Sequence, residues 1–230
     1  MCGFRSSKEF IKYYYLLFGA TRDCLIAQTG EIRVADVFVF QILQAFVALV
    51  FAVFISDFRK KKNMIPLIKE RWTSILKISC LFPLVAYAYV LFTLQWISNL
   101  DLFALSLTSV GMFLVLKAKF DLAKHHTWAG YCLSSAKLFA KGIYAYIRHP
   151  LYTGIYLFIF GFLLTVVPHG NLQLTLMAGV PLIYIMTFLA YSASKETEML
   201  KKKLGNKFLA YKSQVHFCLP LRKYVEVVSA

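Results

Sequence analysis

The 230-residue chain is poor in acid, with 11 Asp and Glu against 26 Lys and Arg and a formal charge of +15. Such a balance ordinarily suggests a nucleic-acid partner. No DNA- or RNA-binding motif accompanies it, and the charges cluster between apolar runs, as the flanks of membrane segments do. Nucleic acid is therefore not expected as a partner, and anionic lipid head groups are the natural counter-surface. Cysteine chemistry is scarce as well. The five cysteines, at 2, 24, 80, 132 and 218, form no C-x-x-C pair and leave one over, which argues against a disulfide framework or a metal site. Cys2 stands too close to the start to follow a lipoprotein signal, and the final VVSA carries no prenylation cysteine, so no lipid anchor is expected. There is no internal repeat and no low-complexity tract.

Apolar residues are abundant. They make up 59% of the chain, 17% is aromatic and the mean hydropathy is +0.62, whereas soluble domains are about 45–50% apolar. A span needs roughly 20 largely apolar residues. Five segments qualify or nearly do, at 34–55, 74–97, 100–118, 151–167 and 172–193. Pro83 and Pro181 fall inside two of them and predict kinks, around which either a pocket or ordinary packing can form. YYYLLFGA (13–20) is too short to span and reads as an interfacial segment rather than a signal peptide.

Loop charge gives an orientation. Stretch 58–73 holds six Lys or Arg, 117–150 six more and 194–230 eight, while 98–101 and 168–173 hold none. The basic segments are expected on the cytoplasmic side and the N-terminus outside. The five Lys and Arg of residues 1–33 oppose that placement. The polar mass thus lies on one face, where chemistry is expected. The spans themselves hold few polar groups (Gln41, Gln44, Lys77 and Gln95), unlike the lining of a channel.

Two motifs bracket the last two spans. Gly142, Tyr144, Arg148, His149, Pro150, Tyr152 and Gly154 spell G-x-Y-x-x-x-R-H-P-x-Y-x-G. From Glu196 to Pro220 the chain reads E-x-x-x-L-x-x-x-x-G-x-x-x-x-x-Y-x-x-x-V-x-x-x-L-P. Together they resemble the integral-membrane methyltransferases typified by isoprenylcysteine carboxyl methyltransferase; the phospholipid methyltransferases look similar. The resemblance covers 142–220, and residues 1–116 match only as apolar spans. It implies an all-α polytopic membrane enzyme of about five spans, forming one integral-membrane domain over 1–230, with a cytoplasmic site for S-adenosylmethionine. The acceptor it implies is a lipophilic small molecule or lipidated substrate. No glycine-rich fingerprint of the soluble methyltransferase fold is present.

By position, the resemblance implies that Tyr144, His149, Pro150, Leu151 and Tyr152 contact the cofactor, as do Ala136, Lys137, Leu138 and Phe139 before them and Glu196 after them. The residue types suit the task. Pro150 starts a helix at no cost in its first turn, and the free N–H groups of that turn attract a carboxylate. Glu196 suits an ammonium or a ribose hydroxyl. Arg148 and His149 are the expected catalytic residues, and His125, His126 and Trp128 are expected to border the pocket. Plainer roles stand beside these: Arg148 as a snorkelling anchor, the tyrosines as an interfacial belt, Glu196 as a helix-surface acid. Glu198 is expected to pair with Lys201 and Lys202, and His169 with its PHG turn to be structural. One departure matters. Where the prenylcysteine enzymes carry an arginine four residues before the glutamate, this chain has Ser192. The alternatives to a methyltransferase are a membrane reductase of related fold, or a small transporter or lipid-binding protein.

Overall fold

The computed structural model describes residues 34–56, 64–123, 129–133, 138–218 and 220. Its helices are α1 (Val34–Ile55), α2 (Glu70–Ser79), α3 (Leu81–Thr93), α4 (Asn99–Leu122), α5 (Pro150–His169), α6 (Leu172–Leu204) and α7 (Asn206–Gln214), with a 3-10 turn at Gly142–Ala145. Five of the resulting segments are long and apolar enough to cross a bilayer: Asp36–Ile55, Glu70–Thr93, Asn99–Leu122, Pro150–His169 and Leu172–Leu204. The chain is an all-α polytopic membrane protein. Among the described residues one pair of short strands, β1 (Met64–Pro66) and β2 (Tyr131–Leu133), runs antiparallel with Ile65 opposite Cys132. Nothing in the sequence reading anticipated it.

The five expected spans are present with altered ends. The second is two helices, because Pro83 has no N–H for the Ser79 carbonyl and its ring crowds that turn. Pro181, by contrast, sits within an unbroken α6 that runs to Leu204, eleven residues past the expected end.

Helix α5 is the centre of the bundle. In its apolar window 56% of residues are buried, against 22–28% in the other four. Outward-facing Phe92, Phe120, Leu172 and Ile183 are 89%, 67%, 70% and 67% exposed, which suits lipid rather than water. Helix α4 packs along α5 more extensively than any other pair. Small residues make the seam possible. A Cβ on Gly111 would lie 2.6 Å from the Gly154 carbonyl oxygen, and one on Gly161 would lie 2.6 Å from that of Ala104. In lipid, such close backbone approach supplies the attraction that burial supplies in water. Polar side chains in the spans close on neighbours: Gln41 Nε2 donates to the carbonyls of Leu91 and Leu94, at 2.7 and 3.2 Å, where α3 ends.

The helices alternate in direction. Residues 64–69, 129–133, 138–149 and 205–218 therefore gather at one end of the bundle, and the two short connections between α3 and α4 and between α5 and α6 lie at the other.

Candidate active site

The connector from α4 to α5 is folded against two supports. At the end of α4, Asp121 accepts the Ile143 N–H at 2.7 Å and pairs with Lys117 at 2.7 Å. Gly142 must be glycine: its φ is +58°, and a Cβ would lie 2.2 Å from Asp121 Oδ2. The 3-10 turn that follows buries Tyr144, whose ring meets Phe139 edge-on at 5.8 Å between centroids.

The second support comes from beyond α7. Ile147 pairs in parallel with His216, the Arg148 N–H donates to the His216 carbonyl at 3.0 Å, and the His149 N–H donates to the Phe217 carbonyl at 3.2 Å. Tyr211 Oη donates to the Tyr144 carbonyl at 2.6 Å. Phe208, Tyr211 and Val215 form a small core of their own, with Leu138 packed on it. The second motif thus clamps the first.

Pro150 then opens α5, with His149 at the cap position and no side chain capping the turn. On α6, Glu196 faces this opening. Tyr152 Oη donates to Glu196 Oε1, and His149 Nδ1 lies 3.8 Å from Glu196 Oε2. The His149 ring stacks over Tyr152 at 5.6 Å and leans on Phe217 at 4.7 Å.

Electrostatics separate these groups. Burial, and secondarily the Arg148 guanidinium, push the His149 pKa down to about 4, so the imidazole is neutral near pH 7. A neutral ring 3.8 Å from a carboxylate is a neighbour, not an ion pair. Burial, followed by the nearby Glu196 charge, raises the Tyr144 phenol far above its ordinary range. Burial also lowers the Arg148 pKa. Two polar atoms here, Arg148 Nε and Ser192 Oγ, are buried with no hydrogen-bond partner among the described residues. In a buried setting each such atom costs about 1–3 kcal/mol, which a ligand's polar group can recover.

The cluster brings together Leu138, Phe139, Tyr144, Arg148, His149, Pro150, Leu151, Tyr152 and Glu196. Ala136 and Lys137 lie outside the described residues, as do His125, His126, Trp128 and segment 13–20. Glu198 pairs with Lys195 at 3.0 Å rather than with Lys201 or Lys202, because the lysine one turn earlier reaches it first. Sequence reasoning missed the roles of Tyr211, His216 and Phe217. Tyr211 and Val215 stood in the second motif as quoted, and the spacing of that motif was the available signal.

With this geometry in place, the comparisons decide the family. Residues 100–207 match the family model of the phospholipid methyltransferases. No curated protein matches the chain. The phospholipid methyltransferase match runs from α4 to the start of α7, so it contains His149, Tyr152 and Glu196 as well as the α4–α5 seam. It ends before Tyr211 and Phe217. The match implies a methyltransferase of membrane-associated substrates.

Proposed function

We propose that this enzyme transfers a methyl group from S-adenosylmethionine to an acceptor dissolved in the bilayer, at a site on the cytoplasmic side. One observation carries the reading: the Glu196 carboxylate is held against the uncapped first turn of α5, beside Tyr152 and His149. An amino-acid end with an ammonium and a carboxylate fits that arrangement. Glu196 takes the ammonium, and the Leu151 and Tyr152 N–H groups take the carboxylate. Leu138, Phe139 and Tyr144 give the adenine an apolar and aromatic slot. The described residues hold no cluster of metal-ligating side chains, and no step here calls for one. The basic segments at this end support the cytoplasmic placement, and residues 142–220 carry the chemistry of the single membrane domain.

When bound, S-adenosylmethionine supplies a methyl group already activated on a sulfonium, so alignment supplies most of the catalysis. The protein's own task is that alignment. An amine acceptor sheds one proton; neutral His149, with its pKa near 4, can accept a hydrogen bond from that N–H and orient it, and the proton itself leaves to water. Ser192 in place of an arginine favours an acceptor without a carboxylate, such as the amine of a lipid head group, and the phospholipid methyltransferase match supports this reading. A second reading has one observation behind it. The unpartnered Arg148 Nε suits a carboxylate, and would make the acceptor a prenylcysteine.

The test is transfer of labelled methyl in proteoliposomes, offered either an amine-headed lipid or a farnesyl-cysteine analogue. The account predicts transfer to the lipid and near silence on the analogue, with some gain on the analogue in Ser192→Arg. Robust methylation of the analogue that collapses in Arg148→Ala would establish the second reading instead.

A further inference from the structure

The far end of the bundle holds a second polar site that methyl transfer does not use. Asp101, in the first turn of α4, is fully buried and accepts four contacts. The Ser98 N–H and Oγ reach its Oδ2 at 2.8 and 2.7 Å. His169 Nε2, at the end of α5, lies 3.0 Å from Oδ1 and 3.1 Å from Oδ2. Both side chains are hidden, with 1% of Asp101 and 6% of His169 exposed. The pair spans 68 positions of sequence.

His169 also forms part of the wall of a cavity of about 410 Å³, together with Tyr89, Thr93, Gln95, Trp96 and Asn171. Trp96 lies against the His169 ring at 4.3 Å between centroids. The described lining contains no lysine or arginine. The Asp101 charge is therefore held by neutral donors and an imidazole, with no fixed cation in the wall of the cavity. Asp101 engages Nε2 of His169, and Nδ1 is the other polar atom of the ring. A hollow with aromatic faces, a buried carboxylate behind His169 and no lysine or arginine in its described lining suits a cation, and an organic ammonium suits aromatic walls best.

We propose that this cavity binds a small organic ammonium, either free or as the head group of a lipid in the adjoining leaflet. Trp96 and Tyr89 face its methyl or methylene groups, and Asp101 acts through His169 to hold its charge. The site lies at the opposite end of α5 from Glu196, about 28 Å away along a helix of 20 residues, and does not depend on the proposed methyl transfer.

The probe is choline, followed by saturation-transfer NMR on its methyl signal with the full-length protein in detergent. A saturable signal is expected that tetramethylammonium displaces and sulfate does not. Affinity should fall about tenfold in Trp96→Leu and at least as far in Asp101→Asn; should the latter fail to fold, Trp96→Leu still decides. Nanodiscs identify the source. Loss of the choline signal in phosphatidylcholine discs but not in phosphatidylglycerol discs means that lipid head groups fill the cavity; persistence in both means a free amine does. A signal unchanged in Trp96→Leu, abolished in Glu196→Gln or displaced by sulfate overturns the proposal.

Discussion

The two ends of α5 are built on opposite plans. At Pro150 the helix opens without a cap, the Arg148 guanidinium keeps an unpartnered Nε, and Ser192 Oγ is buried alone. At His169 the polar groups close on one another, with Asp101 accepting from Ser98 and contacting His169. The first plan leaves hydrogen-bonding capacity for a ligand; the second uses most of its capacity to tie α4 to α5. Between them runs a seam so close that glycine is required on both sides. A rigid centre between an open end and a more closed end explains how one membrane bundle can hold an incompletely satisfied site.

The comparison can be broken first at the seam. Gly154→Ala drives a methyl to 2.7 Å from the Gly111 carbonyl oxygen and 2.9 Å from a Val115 methyl. Backbone cannot yield as a side chain tip does, so the loss of stability should reach or pass the upper end of about 1–3 kcal/mol. Gly179→Ala on α6 meets nothing within 4 Å and should stabilise by about 0.5–1 kcal/mol. Unfolding midpoints of the two variants check this pair, and equal midpoints would remove the seam from the account.

A smaller effect sharpens the contrast between the ends. Asp101→Asn removes a charged acceptor from a closed network and should cost about 1–3 kcal/mol. Cofactor affinity, set at the other end, should hold. A parallel loss of affinity would mean that the ends are not independent.

The smallest effect is one of pH. His149 has a folded pKa of about 4, below its ordinary value of about 6.5. Between those values the unfolded chain binds a proton that the folded chain refuses, so stability falls as pH falls. From pH 6.5 to 5.5 the loss should be about 1 kcal/mol, and His149→Asn should flatten that part of the thermal-stability profile.

Sequence reached one end far better than the other. Spans announce themselves by composition, and the two motifs delivered Tyr144, His149, Pro150, Tyr152 and Glu196 to one place because the helices that carry them are neighbours. The clamp by Tyr211, His216 and Phe217 works largely through backbone bonds, which residue identity does not encode. The break at Cys80 was half legible, since Pro83 marked a kink but equally so did Pro181, which α6 absorbs. Asp101 and His169 looked like ordinary connection residues. Their partnership depends on two antiparallel helices ending level, and only the packed α4–α5 seam sets that.

The central claim is that the open end binds a cofactor through Glu196. Equilibrium binding of labelled S-adenosylmethionine to detergent-purified protein tests it most directly, with Glu196→Gln compared against Glu198→Gln. The first removes the charge that Tyr152 and His149 surround; the second removes an exposed charge paired with Lys195. The account predicts an affinity about 10- to 100-fold weaker in Glu196→Gln, the worth of a charged hydrogen bond, and wild-type affinity in Glu198→Gln. Equal affinities in the two variants, or no binding to the wild type, would contradict it.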